Sequence, residues 1–177
     1  IDTLKIFCEK NKIELEEISL ILNDHNSNKI SSSAIRENLK SGKFELANKD
    51  LERNFSVAGK VIKGDQRGRT IGIPTANLEY PLNTIAIPYG VYAVETLIEG
   101  NTYFGIVNFG IRPTFNKDKP IVEAYLFDFD NDIYGKNIEI LFHKQIRQEK
   151  KFNDIKELLN QINIDIAEAK KILKYGN

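Results

Sequence analysis

The sequence has no methionine, one cysteine and two histidines, and its charges cancel, with 25 lysines and arginines against 25 aspartates and glutamates. Each scarcity excludes something. A single thiol, Cys8, can form neither an internal disulfide nor a cysteine metal cluster, and it fits a reducing compartment, the cytoplasm. His25 and His143 make no HxH or HxxxH pair of the kind a zinc site draws on. Zero net charge argues against a polyanion-binding surface over the whole molecule, though not against a local basic patch. No apolar run approaches the roughly 18 residues of a membrane-spanning helix. No secretory signal is visible. A chain that begins at Ile1 and lacks methionine reads as a piece of a longer polypeptide.

What is present suits an ordinary folded domain: 41% hydrophobic and 28% charged residues in a length of 177, enough for one domain or one domain plus a fragment. Residues 1–51 read as mostly helical. In "SSSAIRENLKSGKFELANKDL", Ser32 or Ser33 can cap a helix that carries Ile35 and Leu39 one turn apart, and Gly42 stands where such a helix would end. Phe44, Ala47 and Leu51 make a second short apolar stripe. The earlier run "IELEEISLIL" fits a strand or a helix equally. From Phe55 the texture changes. "FSVAGKVIK", "GVYAVETLIE", "YFGIVNFG", "IVEAYLFDF" and "NIEILFH" are short β-rich runs separated by turn residues, with "EGN" (Glu99–Asn101) as a hairpin turn. Five or six strands without intervening helices predict an antiparallel barrel or sandwich. Ile155, Leu158, Leu159 and Ile162 then fall on one helical face, and "DIAEAKKIL", which opens with Asp165 and Glu168 in a capping-box arrangement, continues the helix.

The stretch "GRTIGIPTANLEYP", Gly68–Pro81, has the composition of neither a strand nor a helix core. With Gly59 and Gly64 before it, Gly68 and Gly72 punctuate a segment that could wrap an anion with backbone N–H groups, or could simply turn. It is not a Walker A loop, since neither Gly59-Lys60 nor Gly135-Lys136 is followed by Ser or Thr. Pro74 stiffens the chain. Thr75 and Asn77 lie two apart, on one side of an extended segment, where hydroxyl and amide oxygens suit Mg²⁺ and phosphate; the alternative is an Asn-stabilised turn. Glu123 is the single charge in the first seven residues of "IVEAYLFDF". Alternation groups it with Tyr125 and Phe127, and one of the two faces lines the interior. Among aromatics its charged form would be disfavoured, as suits a general base; on an edge strand it would be a solvated carboxylate. Arg147 follows the last apolar run and is either a phosphate or ring partner or a surface charge.

Together, "GKVIKGDQRGRTIGIPTANL", "NFGIRPTF", "VEAYLFDFDNDIYGK" and "IRQEKKF" resemble the riboflavin kinase family, in the same order, over residues 55–177. "KISSSAIRENLKSGKFELANKDL" resembles the end of the FMN adenylyltransferase domain that precedes this kinase in bacterial bifunctional enzymes. The resemblance implies a six-stranded antiparallel Greek-key barrel at 52–177 with C-terminal helices, after an adenylyltransferase remnant at 1–51. It implies transfer of the ATP γ-phosphoryl group to the riboflavin 5′-hydroxyl, in a monomer that binds neither membrane nor nucleic acid. By motif, Thr75 and Asn77 bind Mg²⁺ and ATP. Gly64 and Arg69 belong to the loop over the nucleotide, and Tyr134 lies in the nucleotide region. Glu123 is the catalytic base, and Arg147 and Lys150 lie on the flavin side. Ser32, Ser33 and Arg36 would bind phosphate in a whole adenylyltransferase. Ser33 replaces a more usual Thr, and Tyr125 a frequent His. The larger departure is that neither histidine lies in the HxGH motif that FMN adenylylation needs.

Within this reading the loop around Asp65–Arg69, with its glycines and with Arg67 and Arg69, is expected to be a mobile cover, and residues 74–77 a fixed floor. A different class of function also fits a small barrel. Tyr103, Phe104, Phe109, Tyr125 and Phe127 could form a stacking platform for a flavin or single-stranded nucleic acid, without catalysis.

Overall fold

Alternating apolar residues in 55–148 build six strands, and in the computed structural model these close on themselves. The structure describes residues 2–16, 29–64, 67–81, 83–111 and 120–176. The chain divides into two compact units, 1–31 and 32–177. The first holds α1 (Asp2–Lys10), whose buried residue is Cys8. The ambiguous run that begins at Ile13 has no regular structure over 13–16, and its remainder lies outside the described residues.

The second unit runs α2 (Ser32–Lys40), α3 (Phe44–Leu51), β1 (Phe55–Ile62), α4 (Arg67–Thr70), β2 (Ala76–Glu79), β3 (Gly90–Ile98), β4 (Asn101–Ile111), β5 (Pro120–Leu126), β6 (Asn137–Gln148) and α5 (Ile155–Ile172). Around the barrel the order is β1-β2-β5-β4-β3-β6, with β6 closing back on β1 and every pair antiparallel. The neighbours β6-β3-β4-β5 follow a Greek-key path. The expected six-stranded antiparallel barrel is therefore present. Glu99 and Gly100, both at positive φ, form the two-residue turn between β3 and β4.

The structure refines two expectations. The stretch 68–81, whose composition suits neither a strand nor a helix core, nonetheless begins within α4 and ends in β2, the extended segment expected for Thr75 and Asn77 lying at the start of that strand. The Asp165–Glu168 pair caps nothing: the helix continues through it, as expected, in α5, which runs unbroken from Ile155. Its cap is Asp154, whose carboxylate accepts from the Glu157 N–H at 2.8 Å, while the Glu157 carboxylate accepts from the Asn153 N–H at 3.1 Å. That backbone bond first, then Lys150, holds the Glu157 carboxyl below the usual range.

Inside the barrel, Val57, Val61, Leu78, Val94, Val107, Phe109, Val122, Ala124, Ile140 and Phe142 interdigitate. Helices α2 and α3 plug one end. Phe44 is buried against Tyr92 and Phe142, with ring centroids 5.2 and 5.8 Å away, a contact whose truncation costs about 3–5 kcal/mol for a buried Phe. Asn48 pins the plug to two strands, donating to the Phe142 carbonyl and accepting from the Phe55 N–H, both at 2.8 Å. Helix α5 covers the outside of β3 and β4, where Val91, Ala93, Ile106 and Phe127 meet Ala169 and Leu173.

Thr96 on β3 points into this interior at 0% exposure, and its hydroxyl has no hydrogen-bond partner among the described residues. A buried hydroxyl without a partner costs about 1–3 kcal/mol, and Val matches its shape and favours strands. We expect Thr96→Val to raise the urea midpoint of unfolding. A lower midpoint would mean that the hydroxyl is satisfied in solution.

Candidate active site

The end of the barrel opposite the α3 plug is open. Phe55, at the start of β1, packs on Phe44, whereas Val61, near the end of the same strand, lines a cleft of about 200 Å³. One wall of the cleft is the connection from α4 to β2, through Arg69, Pro74, Thr75 and Ala76. The other is the segment between β5 and β6, from Phe129 to Tyr134. Three expected nucleotide residues, Arg69, Thr75 and Tyr134, are thus brought together. Asp130 and Asp132 join them, and the Asp132 carboxylate accepts from the Tyr134 N–H at 2.9 Å.

Glycine at position 68 is explained by crowding. The Gly68 carbonyl accepts from the N–H of Ile73 at 2.8 Å and of Ile71 at 3.2 Å, folding α4 back on itself. A Cβ at Gly68 would lie 2.2 Å from the Ile73 carbonyl oxygen, and 3.5 Å from the Thr75 hydroxyl. Of the loop expected as a mobile cover, Asp65 lies outside the described residues; Arg67–Thr70 is the short helix α4.

Asn77 is not on the cleft wall. It is buried at 3% exposure, and a Cβ at Gly64 would come within 2.4 Å of its amide nitrogen. Across the sheet Asn77 stands directly opposite Glu123 on β5, and Glu123 directly opposite Asn108 on β4. Opposed residues of an antiparallel pair share a face, with Cβ atoms about 5 Å apart. The three side chains form one polar row across β2, β5 and β4. The row lies on the outside of the barrel, because Val122, Ala124 and Leu126 take the interior. Glu123 is half-buried between two amides, rather than among interior aromatics.

Arg147 is not beyond the last strand but within β6. Its Nε donates to both carboxylate oxygens of Asp165, at 3.0 and 2.9 Å, and its NH2 group lies 2.8 Å from Oδ2. Asp165 is 1% exposed and also accepts from Gln161 at 2.9 Å. The guanidinium lies 5.6 Å from the centre of the Phe152 ring. Lys150 pairs with Glu157 at 3.2 Å and lies 5.3 Å from the same ring. Arg147 and Lys150 therefore share one corner, where β6 turns into α5. Ser32, Ser33 and Arg36 are exposed on the first two turns of α2 and do not line the cleft. Of the aromatics considered for a stacking platform, Phe109 is interior, Phe104, Tyr125 and Phe127 pack beneath α5, and Tyr103 packs on Phe129.

Asp165 and Asn108 were not anticipated as parts of this arrangement. Asp165 had a signal. It falls on the helical stripe of Ile162, Ile166 and Ala169, where an acid must find a buried partner. Asn108 opens the motif "NFGIRPTF", but its place beside Glu123 depends on the register of β4 against β5.

The model of the riboflavin kinase (Flavokinase) family matches residues 51–173. The chain belongs to the riboflavin kinase family. Similar proteins include the bifunctional riboflavin kinase/FMN adenylyltransferases of Bacillus subtilis (strain 168), 49% identical over 80% of this chain and 46% of that protein, and of Escherichia coli (strain K12), 40% identical over 81% and 46%. That of Buchnera aphidicola subsp. Schizaphis graminum (strain Sg) is 40% identical over 97% and 55%. The chain thus spans about half the length of the curated relatives it matches. Among solved structures it is similar to one described as a macrolide-efflux protein from Streptococcus pneumoniae, with a TM-score of 0.81 and 32% identity over 92% of this chain and 53% of that one. No helix among the described residues is long and apolar enough to cross a membrane.

In this member of the family, the Arg147–Asp165 pair ties α5 to β6. Removing one partner of a buried ion pair strands the other, at a cost of about 3–5 kcal/mol. Because Arg147 keeps 20% exposure, the lower end applies. We expect Asp165→Ala to lose about 3 kcal/mol of stability by urea titration, and Arg147→Met with Asp165→Leu to recover much of it. An unchanged midpoint in Asp165→Ala would show that the pair contributes nothing.

Proposed function

We propose that this chain is a riboflavin kinase, moving the ATP γ-phosphoryl group to the riboflavin 5′-hydroxyl to give FMN and ADP. The observation that carries the reading is the direct opposition of Asn77 and Glu123 beside a cleft lined by Thr75 and Arg69. Phosphoryl transfer asks chiefly for positioning and charge neutralisation, and these residues offer both. Glu123 takes the proton of the 5′-hydroxyl as its oxygen bonds to the γ-phosphorus. The bond from that phosphorus to the bridging oxygen of ADP breaks. Arg69 brings positive charge to the phosphates, and Tyr134 borders the nucleotide. Arg147 and Lys150, at the β6–α5 corner, serve the flavin side.

The donor set suits Mg²⁺. The Thr75 hydroxyl and the Asn77 amide oxygen are hard ligands, and burial against Gly64 fixes the Asn77 amide. Held there, Mg²⁺ supplies charge neutralisation on the phosphates. Residues 1–51 are read as the remnant of an FMN adenylyltransferase domain, and 52–177 as the kinase. Ser32, Ser33 and Arg36 would then belong to the phosphate site of the longer protein. We place the enzyme in the cytoplasm, as a monomer.

The test is incubation with riboflavin, ATP and Mg²⁺, with FMN and FAD separated by chromatography. FMN is expected to accumulate without FAD, because neither histidine lies in an HxGH motif. Glu123→Gln keeps the shape but not the base, and should lower turnover roughly 10²–10⁴-fold with flavin binding little changed. No FMN from the unaltered chain, or near-normal turnover in the variant, would overturn the assignment or the base respectively.

A further inference from the structure

The polar row has a third member whose position asks for a reason. Asn108 lies in the interior of the eleven-residue strand β4, paired with Val91 on one side and Glu123 on the other. It is at neither a turn nor a strand end, the places where Asn is favoured, and Asn is a poor strand former. Its neighbours Val107 and Phe109 are buried in the barrel at 0% and 1% exposure, so the Asn108 side chain points outward, and it is exposed. The next outward positions along β4 are unlike it. Ile106 packs beneath α5, and Gly110 carries no side chain, the Glu149 carboxylate lying where its Cβ would be.

Burial along the row runs one way. Asn77 is buried beneath Gly64, Glu123 is half-buried and Asn108 is open. The β2 side of Glu123 is therefore closed by the segment that leads to the phosphate cleft, and among the described residues the more exposed side is that of Asn108. An in-line transfer places donor and acceptor on opposite sides of the moving group. With the phosphates on the Thr75 and Asn77 side, the alcohol arrives from the β4 side.

We propose that Asn108 is a specificity-determining contact for the acceptor, hydrogen-bonding the hydroxyl on the carbon next to the reacting one and so holding the reacting hydroxyl over Glu123. This rests on the kinase reading above. An amide offers both a donor and an acceptor, and so can bind a hydroxyl in either orientation. The acceptor class is a polyol chain ending in a primary alcohol, with a secondary hydroxyl beside it.

The experiment is a cycle on the full chain with two acceptors, riboflavin and its 4′-deoxy analogue, and two proteins, unaltered and Asn108→Leu. Loss of one hydrogen bond should raise KM for riboflavin about tenfold in the variant, and KM for the analogue about tenfold in the unaltered chain. The analogue should suffer no further penalty in the variant, and KM for Mg²⁺-ATP should stay unchanged. Asn108→Ala, which removes the amide without adding bulk, serves if the leucine variant does not fold. Multiplying penalties would overturn the proposal. So would a shifted pH profile with KM for riboflavin unchanged, because Asn108 would then act only through Glu123. No FMN from the unaltered chain sinks the kinase reading itself, whereas FMN with multiplying penalties sinks the Asn108 contact alone.

Discussion

Closure of the barrel depends on β2, a strand of only four residues. On the β5 side all four pair, but on the β1 side only Leu78 and Asn77 do, opposite Val61 and Ile62. The same two residues divide the work between the faces. Leu78 is fully buried inside the barrel, and Asn77 is buried outside it under Gly64. Pro74, two residues ahead, cannot donate a ladder hydrogen bond, which helps explain why the strand starts no earlier. The seam of the barrel and the proposed phosphate site are thus one piece of chain. A strand with few partners opens more readily than one at the centre of a sheet, and ligand sites are drawn from such regions.

Stability is concentrated at the other end. Phe44, Tyr92, Phe142 and Phe55 form an aromatic cluster beneath α3, and Asn48 fastens that helix to β1 and β6. Helix α5 adds a second layer on the outside of β3 and β4. With one end plugged and one flank covered, the other end can carry the exposed charges of Arg69, Asp130 and Asp132, which would not survive in a packed interior.

Much of this was legible from residue patterns, and the failures share a cause. The β3–β4 hairpin was readable because Glu99-Gly100 is a local signal between two strongly alternating runs. The end of α2 was readable at Gly42, where φ is +74°. By contrast, β2 was hidden because Pro, Thr and Asn dominate its approach, and its pairing partners are distant in sequence. Asp165 looked like a capping charge, and Arg147 like a phosphate or ring partner or a surface charge, until the fold brought them within 2.8 Å. Alternation could separate Glu123 from Val122 and Ala124, but it could not say which face was inside. The family resemblance supplied candidate roles for single residues, and the register supplied their order in space.

That Glu123 faces outward follows from the size of the barrel. Barrel diameter grows with strand number, and about eight strands leave an interior just wide enough for side chains or one small ligand. Six strands leave less, and here the space is filled by Leu78, Val107, Phe109, Val122, Ile140 and Phe142, each at most 1% exposed. No substrate fits inside, and an ionised carboxylate there would have been costly without a partner. On the proposed reading, chemistry then sits where polar side chains from adjacent strands converge on the outside. The row at β2, β5 and β4 meets this condition. It places the carboxylate between a buried amide and an exposed one, so the packing that fills the core also sets the order of polar groups along the proposed site.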